Sequence, residues 1–236
     1  MTDVEISAGL VKELREQTGA GMMDCKRALQ EANGDLEEAR RILREKGMAS
    51  AAKRAGRETT EGLVEARVDG STGLIVGVGC ETEPVSKNDE FRAFVASAAE
   101  AVAAGGPDAV AELDDERRQL SGRLGENIAV VGAARYEAAA GETVAAYVHP
   151  PGKIGVLVHL RGGSPELGRQ LAMHISFAAP EWTARADVPA EAVEAERQIY
   201  LNSDEVQSKP EAAREKIVDG MLGKRFFAAS PGGVLV

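Results

Sequence analysis

The sequence predicts an α+β protein in which short helices precede a core of antiparallel hairpins. Three observations carry that expectation. Apolar residues recur at helical spacing through the first ~46 residues and again near the end of the chain. Between those stretches, apolar residues alternate with a period of two on either side of turn residues, the pattern of hairpin strands. The hairpin pattern also repeats: Val144, Val148, Ile154, Val156 and Val158 fall 80 positions after Val64, Val68, Leu74, Val76 and Val78. Each hairpin leads into an amphipathic helix, so two related hairpin-plus-helix units with antiparallel sheet fit better than an alternating α/β order.

The elements follow from cap and period logic. Ser7 can cap a first helix whose inner face is Leu10, Val11 and Leu14, and Gly19 stops it. A second helix runs from about Met22 to Ala32 with Ala28 and Leu29 inward, ended by Asn33-Gly34. Asp35 caps a third, with Leu36, Ala39, Ile42 and Leu43 on one face and Gly47 as its stop. From Gly47 to Thr60 no face is worth burying, so this stretch reads as a linker that can be helical. Its basic run, Lys53 to Arg57, reads as a solvated segment.

GLVEARV and GLIVGVG then form a hairpin about Asp69-Gly70. A helix follows with Phe91, Phe94, Val95, Ala98 and Val102 on one face, then another over Asp114 to Leu124 and a strand in IAVVGAARYEA. The second hairpin, GETVAAYVHPPGKIGVLVHL, leads to a helix bearing Leu167, Leu171 and Ile175. Residues 189 to 227 hold two helix-length stretches about SDEVQS and read as an antiparallel helical hairpin, with Pro210 suited to the first turn of its second arm. The last residues, PGGVLV, look like the start of a strand. The expected organisation is therefore 1–46, a three-helix unit; 47–60, a linker; 61–140 and 141–188, the two halves of a core; 189–228, the helical hairpin; and 229–236, a shortened terminal strand.

Composition narrows the function. A chain of 236 residues that is 44% apolar can bury a sizeable core. No apolar run approaches the ~20 residues of a membrane helix, and the N-terminus lacks the basic and apolar parts of a signal peptide, so a cytoplasmic protein with no membrane partner is expected. The first 60 residues balance eleven Lys and Arg against eleven Asp and Glu, so the rest of the chain carries the whole net charge of −10. Such an acidic body repels phosphate backbones, and direct nucleic-acid binding is not expected. Cys25 and Cys80 stand apart from each other and from any ligand spacing, against a disulfide framework or zinc site.

No catalytic constellation can be assembled. His159 alternates within a strand and His174 lies on a helix, where structural roles are the default. No G-x-S-x-G elbow occurs. Glu81 and Glu83 could in principle do acid-base work, but paired carboxylates at a strand end are more often solvated. TGAGMMDCK has glycines and a lysine without the order of a phosphate-binding loop or the strand that precedes one. No metal or cofactor is expected, and an unrecognised hydrolase or transferase is disfavoured. The chain reads as built for surface contact. Within it, Met22 and Met23 beside the Gly19–Gly21 turn are either plugs for a small core or part of a docking surface.

The block LREQTGAGMMDCKRAL, residues 14 to 29, closely resembles the N-terminal signature of bacterial elongation factor Ts, the guanine-nucleotide exchange factor of elongation factor Tu, and the similarity extends over essentially the whole chain. The resemblance implies a ubiquitin-associated-type three-helix domain at residues 1–46, a two-part core, and a helical hairpin that can mediate a homodimer. It implies elongation factor Tu as partner, contacted by Arg15, Met22 and Met23 on its nucleotide-binding domain and by His149 from the core. It also implies a contact block after the first hairpin. Relatives carry Thr-Asp-Phe-Val there, whereas this chain has Thr82, Glu83, Pro84 and Val85. Glu83 keeps the charge, but Pro84 offers less contact area than an aromatic wedge. Gly77 and Gly79 replace larger residues in the preceding strand, and family members usually continue beyond the position of Val236. These departures leave a divergent relative as the alternative, one that binds elongation factor Tu as a chaperone-like or regulatory module with weak or no exchange.

Overall fold

The computed structural model describes residues 6–235. It divides into two compact units, Met1–Gly168 and Arg169–Val236.

In the first unit, three helices pack around one small core: α1 (Ala8–Thr18), α2 (Met22–Glu31) and α3 (Leu36–Arg54). The caps are those the sequence predicts. Ser7 Oγ accepts from the Leu10 N–H, Asp35 accepts from the Glu37 and Glu38 N–H groups, and Gly19 closes α1 in the left-handed region with its N–H on the Arg15 carbonyl. Val11, Leu14, Cys25, Ala28, Leu29, Ala32, Ala39 and Ile42 form the core. One boundary differs from expectation. α3 does not stop at Gly47 but runs on to Arg54, because it gains a tertiary neighbour in α6 (Asp114–Leu124). A Cβ at Gly122 of α6 would lie 2.8 Å from Gly47 Cα, so the pair of glycines lets the two helices touch backbone to backbone. Ala51, beyond the expected stop, is buried.

The sheet core is antiparallel throughout. β1 (Glu61–Asp69), β2 (Thr72–Cys80) and β3 (Ala129–Glu137) form one sheet in the order β1-β2-β3, and β4 (Glu142–His149) pairs with β5 (Ile154–Arg161) in a second. β2 is central, which explains its apolar run: Leu74, Val76, Val78 and Cys80 are buried against Phe91, Phe94, Val95, Ala98 and Val102 of α5 (Asp89–Gly105). A bulge opposite Gly77 and Val78 skips Val131 and turns that side chain out of the core. The two hairpins of the repeat are not superimposable in register. Asp69 pairs with Thr72 across two residues, while His149 pairs with Ile154 across four, so the Pro150–Lys153 turn is the longer.

The two sheets meet through glycines. A Cβ at Gly73 would come within 2.2 Å of Val144 Cγ1, and one at Gly155 within 2.4 Å of Val64 Cγ1. The Val64 N–H also donates to the Gly152 carbonyl at 2.7 Å, pinning the turn of the second hairpin onto the first. Glycine in these strands marks close approach rather than weakness.

The helix α7 (Pro165–Ala178) follows β5 and runs across the boundary between the units. Within the second unit, α8 (Ala190–Leu201) and α10 (Glu211–Met221) pack together with the short α9 (Asp204–Gln207) between them. Val206, Val218, Met221 and Leu222 are its buried centre, and Arg197 of α8 reaches both Glu215 and Asp219 of α10. The expected terminal strand reduces to a single parallel bridge between Val234 and Trp182, and Val236 itself lies outside the described residues, as do Met1–Glu5 of the three-helix unit. No described helix is long and apolar enough to cross a membrane.

Candidate partner-binding site

The head of α2 resolves the question that the methionines raise. Met22 and Met23 are 59% and 64% exposed, and the core of the three-helix unit is filled without them. Both precede Cys25, the first buried position of α2, so the pair forms a free apolar ledge and not a plug. Arg15 is exposed on α1. Unbranched thioether side chains in this setting can mould to a facing surface.

The turn after β2 is organised quite differently. Thr82 caps α4 (Glu83–Ser86), with Pro84 in its first turn, where a missing N–H costs nothing. Behind it, the Glu126 carboxylate accepts from the Glu81 and Thr82 N–H groups, each at 3.0 Å, and from the Thr82 hydroxyl. The Asn127 N–H donates in return to Glu81 Oε1 at 2.6 Å, and the Asn127 side-chain amide donates to the Arg57 carbonyl at 2.7 Å. Arg57 approaches Glu81 at 3.4 Å. The basic run is therefore not merely a solvated segment, since Arg57 holds the strand end beneath the block. Neither Glu126 nor Asn127 is announced by spacing in the sequence; only a carboxylate and amide just after a helix-stopping glycine hint at them.

These contacts decide what the two candidate carboxylates can do. The Asn127 N–H, with Arg57 behind it, holds the Glu81 carboxyl below its ordinary range, and Lys87 at 2.9 Å does the same for Glu83. Both stay ionised at neutral pH and neither is poised to give up a proton. Burial pushes the Cys80 thiol up to about 11, and Cys25 also rises, so the two buried free thiols are unreactive. Among the described residues no cluster of His, Cys, Asp or Glu is placed to hold a metal ion.

Of the block itself, Val85 turns inward against the sheet core, while Thr82, Glu83 and Pro84 face solvent. The glycines of the preceding strand have a steric reason. A Cβ at Gly79 would sit 2.5 Å from Thr59 Oγ1, and one at Gly77 2.9 Å from Val131 Cγ2.

His149 is exposed at the end of β4, its Nδ1 3.0 Å from the Tyr147 hydroxyl. The Gly152 N–H donates to its carbonyl and closes the turn. Lys153 in that turn pairs with Glu61, and its charge is also felt by Glu83. The structure thus brings the second hairpin's turn and the Glu83 block into one electrostatic neighbourhood, 60 and more residues apart in sequence. The other histidines are elsewhere: His159 pairs with Glu142 at 2.8 Å and stacks on Tyr136, and His174 is exposed on α7.

The family model for elongation factor TS matches residues 81–230, which include the block, the second hairpin and the helical hairpin. The chain belongs to the elongation factor Ts family. It is 47% identical over 232 residues to elongation factor Ts of Methylobacillus flagellatus, covering 93% of this chain and 79% of that relative. It is 44% identical to that of Aromatoleum aromaticum, over 93% and 78% of the two chains, and 42% identical to that of Escherichia coli O139:H28, over the same shares. As a member of the elongation factor Ts family it is a translation elongation factor and guanine-nucleotide exchange factor.

Proposed function

We propose that this chain accelerates GDP release from elongation factor Tu by gripping its nucleotide-free conformation more tightly than its GDP-bound one. No catalytic side chain is needed for that. By linkage, the factor by which the protein weakens GDP equals the factor by which GDP weakens the protein. The observation that carries the reading is the Met22–Met23 ledge, two large apolar side chains left exposed beside a buried cluster that includes neither.

In this reading residues 1–46 dock on the nucleotide-binding domain of the partner through Arg15, Met22 and Met23. Thr82, Glu83, Pro84 and Val85 supply a second contact from the core, braced by Glu126, and His149 a third, steadied by Tyr147. Pro84 in place of an aromatic wedge lowers the maximal rate without removing the contact. The helical hairpin of α8 and α10, with Ile199 exposed on α8, is the candidate surface for pairing two copies. Sedimentation at micromolar concentration tests that pairing: a monomer insensitive to Ile199→Glu removes it.

Stopped-flow release of a fluorescent GDP from elongation factor Tu tests the main proposal. The rate is expected to climb with protein concentration to a plateau well above the spontaneous rate. A stable complex on gel filtration with no faster release would instead assign the chain as a binding module.

A further inference from the structure

A cavity of about 880 Å³ opens within the first unit, where α2 and α3 face the end of α6. Its lining is strongly cationic. Arg27 of α2, Arg40, Arg44, Lys46 and Arg54 of α3, and Arg123 of α6 all contribute, against Asp24 as the lone acidic residue among the described ones. Four of these cations are held by carboxylates: Arg27 by Asp24 itself, and Arg40, Lys46 and Arg123 by Glu37, Glu31 and Glu90, which stand outside the cavity. Arg44 and Arg54 stand within 4.0 Å of no carboxylate among the described residues, although the charge of Arg54 is felt by Glu81 outside the cavity. The shielded Nη1 of Arg54 and Nε of Arg40 have no hydrogen-bond partner among the described residues.

The arrangement is costly without an anion. Two of the six cations, Arg44 and Arg54, lack an ion pair among the described residues, and a shielded guanidinium N–H without an acceptor, as at Arg54 Nη1 and Arg40 Nε, is a destabilising feature. Beside the cavity, Gly47 and Gly122 let α3 and α6 approach backbone to backbone, so two of its walls are close-packed there. A ligand with several anionic oxygens would satisfy both the charge and the free donors, and guanidinium forks suit phosphate geometry. The volume is that of an ordinary small-molecule site. No aromatic side chain among the described residues lines it, and none of them offers a face on which a base could stack.

We propose that this cavity is a binding site for a small oligophosphate, recognised through its phosphates and not through a base. Spacing alone gives no such hint, since the six cations come from separate helices and the acidic composition points the other way. The site rests on none of the partner contacts proposed above.

Calorimetric titration of the full chain at low salt, with no partner protein present, tests it. Tripolyphosphate is expected to bind at one site per chain, more tightly than pyrophosphate, with affinity falling as salt is added. GTP and ATP, the second source of the same chemistry, are expected to bind alike and within a few-fold of tripolyphosphate. Arg44→Gln with Arg54→Gln should weaken binding about tenfold or more, while Arg92→Gln, an exposed cation outside the cavity, leaves it unchanged. Circular dichroism of each variant confirms that the fold is intact. No saturable binding overturns the proposal, and so does binding that the Arg44 and Arg54 changes do not touch. A marked preference for GTP over ATP, or for single-stranded RNA over tripolyphosphate, would also overturn it.

Discussion

The head of α2 and the turn after β2 present opposite kinds of surface. Met22 and Met23 stand free, apolar and without a hydrogen bond to fix them, on a helix whose buried face begins only at Cys25. Thr82 and Glu83 are polar and tied down by Glu126, by Lys87 and by the bond that the Asn127 N–H donates to the neighbouring Glu81 carboxylate. An adaptable patch gains contact area with a partner but must be ordered on binding, whereas a braced one gives up little entropy and tolerates little misfit. A protein that must recognise one conformation of a switching partner is well served by having both.

The comparison can be broken from either side. The largest effect is expected from Met22→Ala combined with Met23→Ala, which removes exposed side chains and no core. Affinity for nucleotide-free elongation factor Tu should fall roughly thirtyfold, about 2 kcal/mol, while the thermal midpoint of the free protein stays put. A drop in stability of the same size would return the pair to the core. Glu126→Gln should act in the reverse manner, because the braces are part of the fold. Urea unfolding is expected to register a loss of about 1–2 kcal/mol, and GDP release should slow about tenfold at fixed protein concentration.

A smaller effect sharpens the contrast within the block itself. Pro84 is exposed at the first turn of α4, so Pro84→Phe leaves the packing of Val85 alone and adds area to the contact surface. A few-fold faster plateau of GDP release is expected. An unchanged plateau would place the wedge elsewhere.

The smallest effect is that of pH on stability. Glu81 and Glu83 have folded-state pKa values below the ordinary 4.5, so their contacts support the fold above that value and are lost as pH falls through the lower folded ones. The urea midpoint should be flat from neutrality to about pH 5 and decline below it. Glu81→Gln should make the decline shallower. A curve unaltered by that change would show the Glu81 bonds to be irrelevant to stability.

Much of the fold is legible in the amino-acid sequence, and the reasons are local. Caps at Ser7 and Asp35, the αL stop at Gly19, the apolar face of α5 and the turn at Asp69-Gly70 each depend on residues close in sequence. What escapes a sequence reading depends on contacts across the chain. Gly47 reads as a helix stop until Gly122 is seen against it. The glycines at 77 and 79 read as losses until Val131 and Thr59 are found over them. Glu126 is 44 residues from the Thr82 N–H it accepts from, and no periodicity connects the two. The signature block points to the methionines but cannot choose between plug and ledge, because that choice rests on how completely eight other side chains fill a small core.

The most direct measurement is the affinity of the purified chain for elongation factor Tu emptied of nucleotide, set beside its affinity for the GDP-bound form under the same conditions. The account predicts a preference for the empty form of two orders of magnitude or more, roughly 3 kcal/mol, mirrored by an equal weakening of GDP in the complex. Equal affinities for the two forms would contradict it.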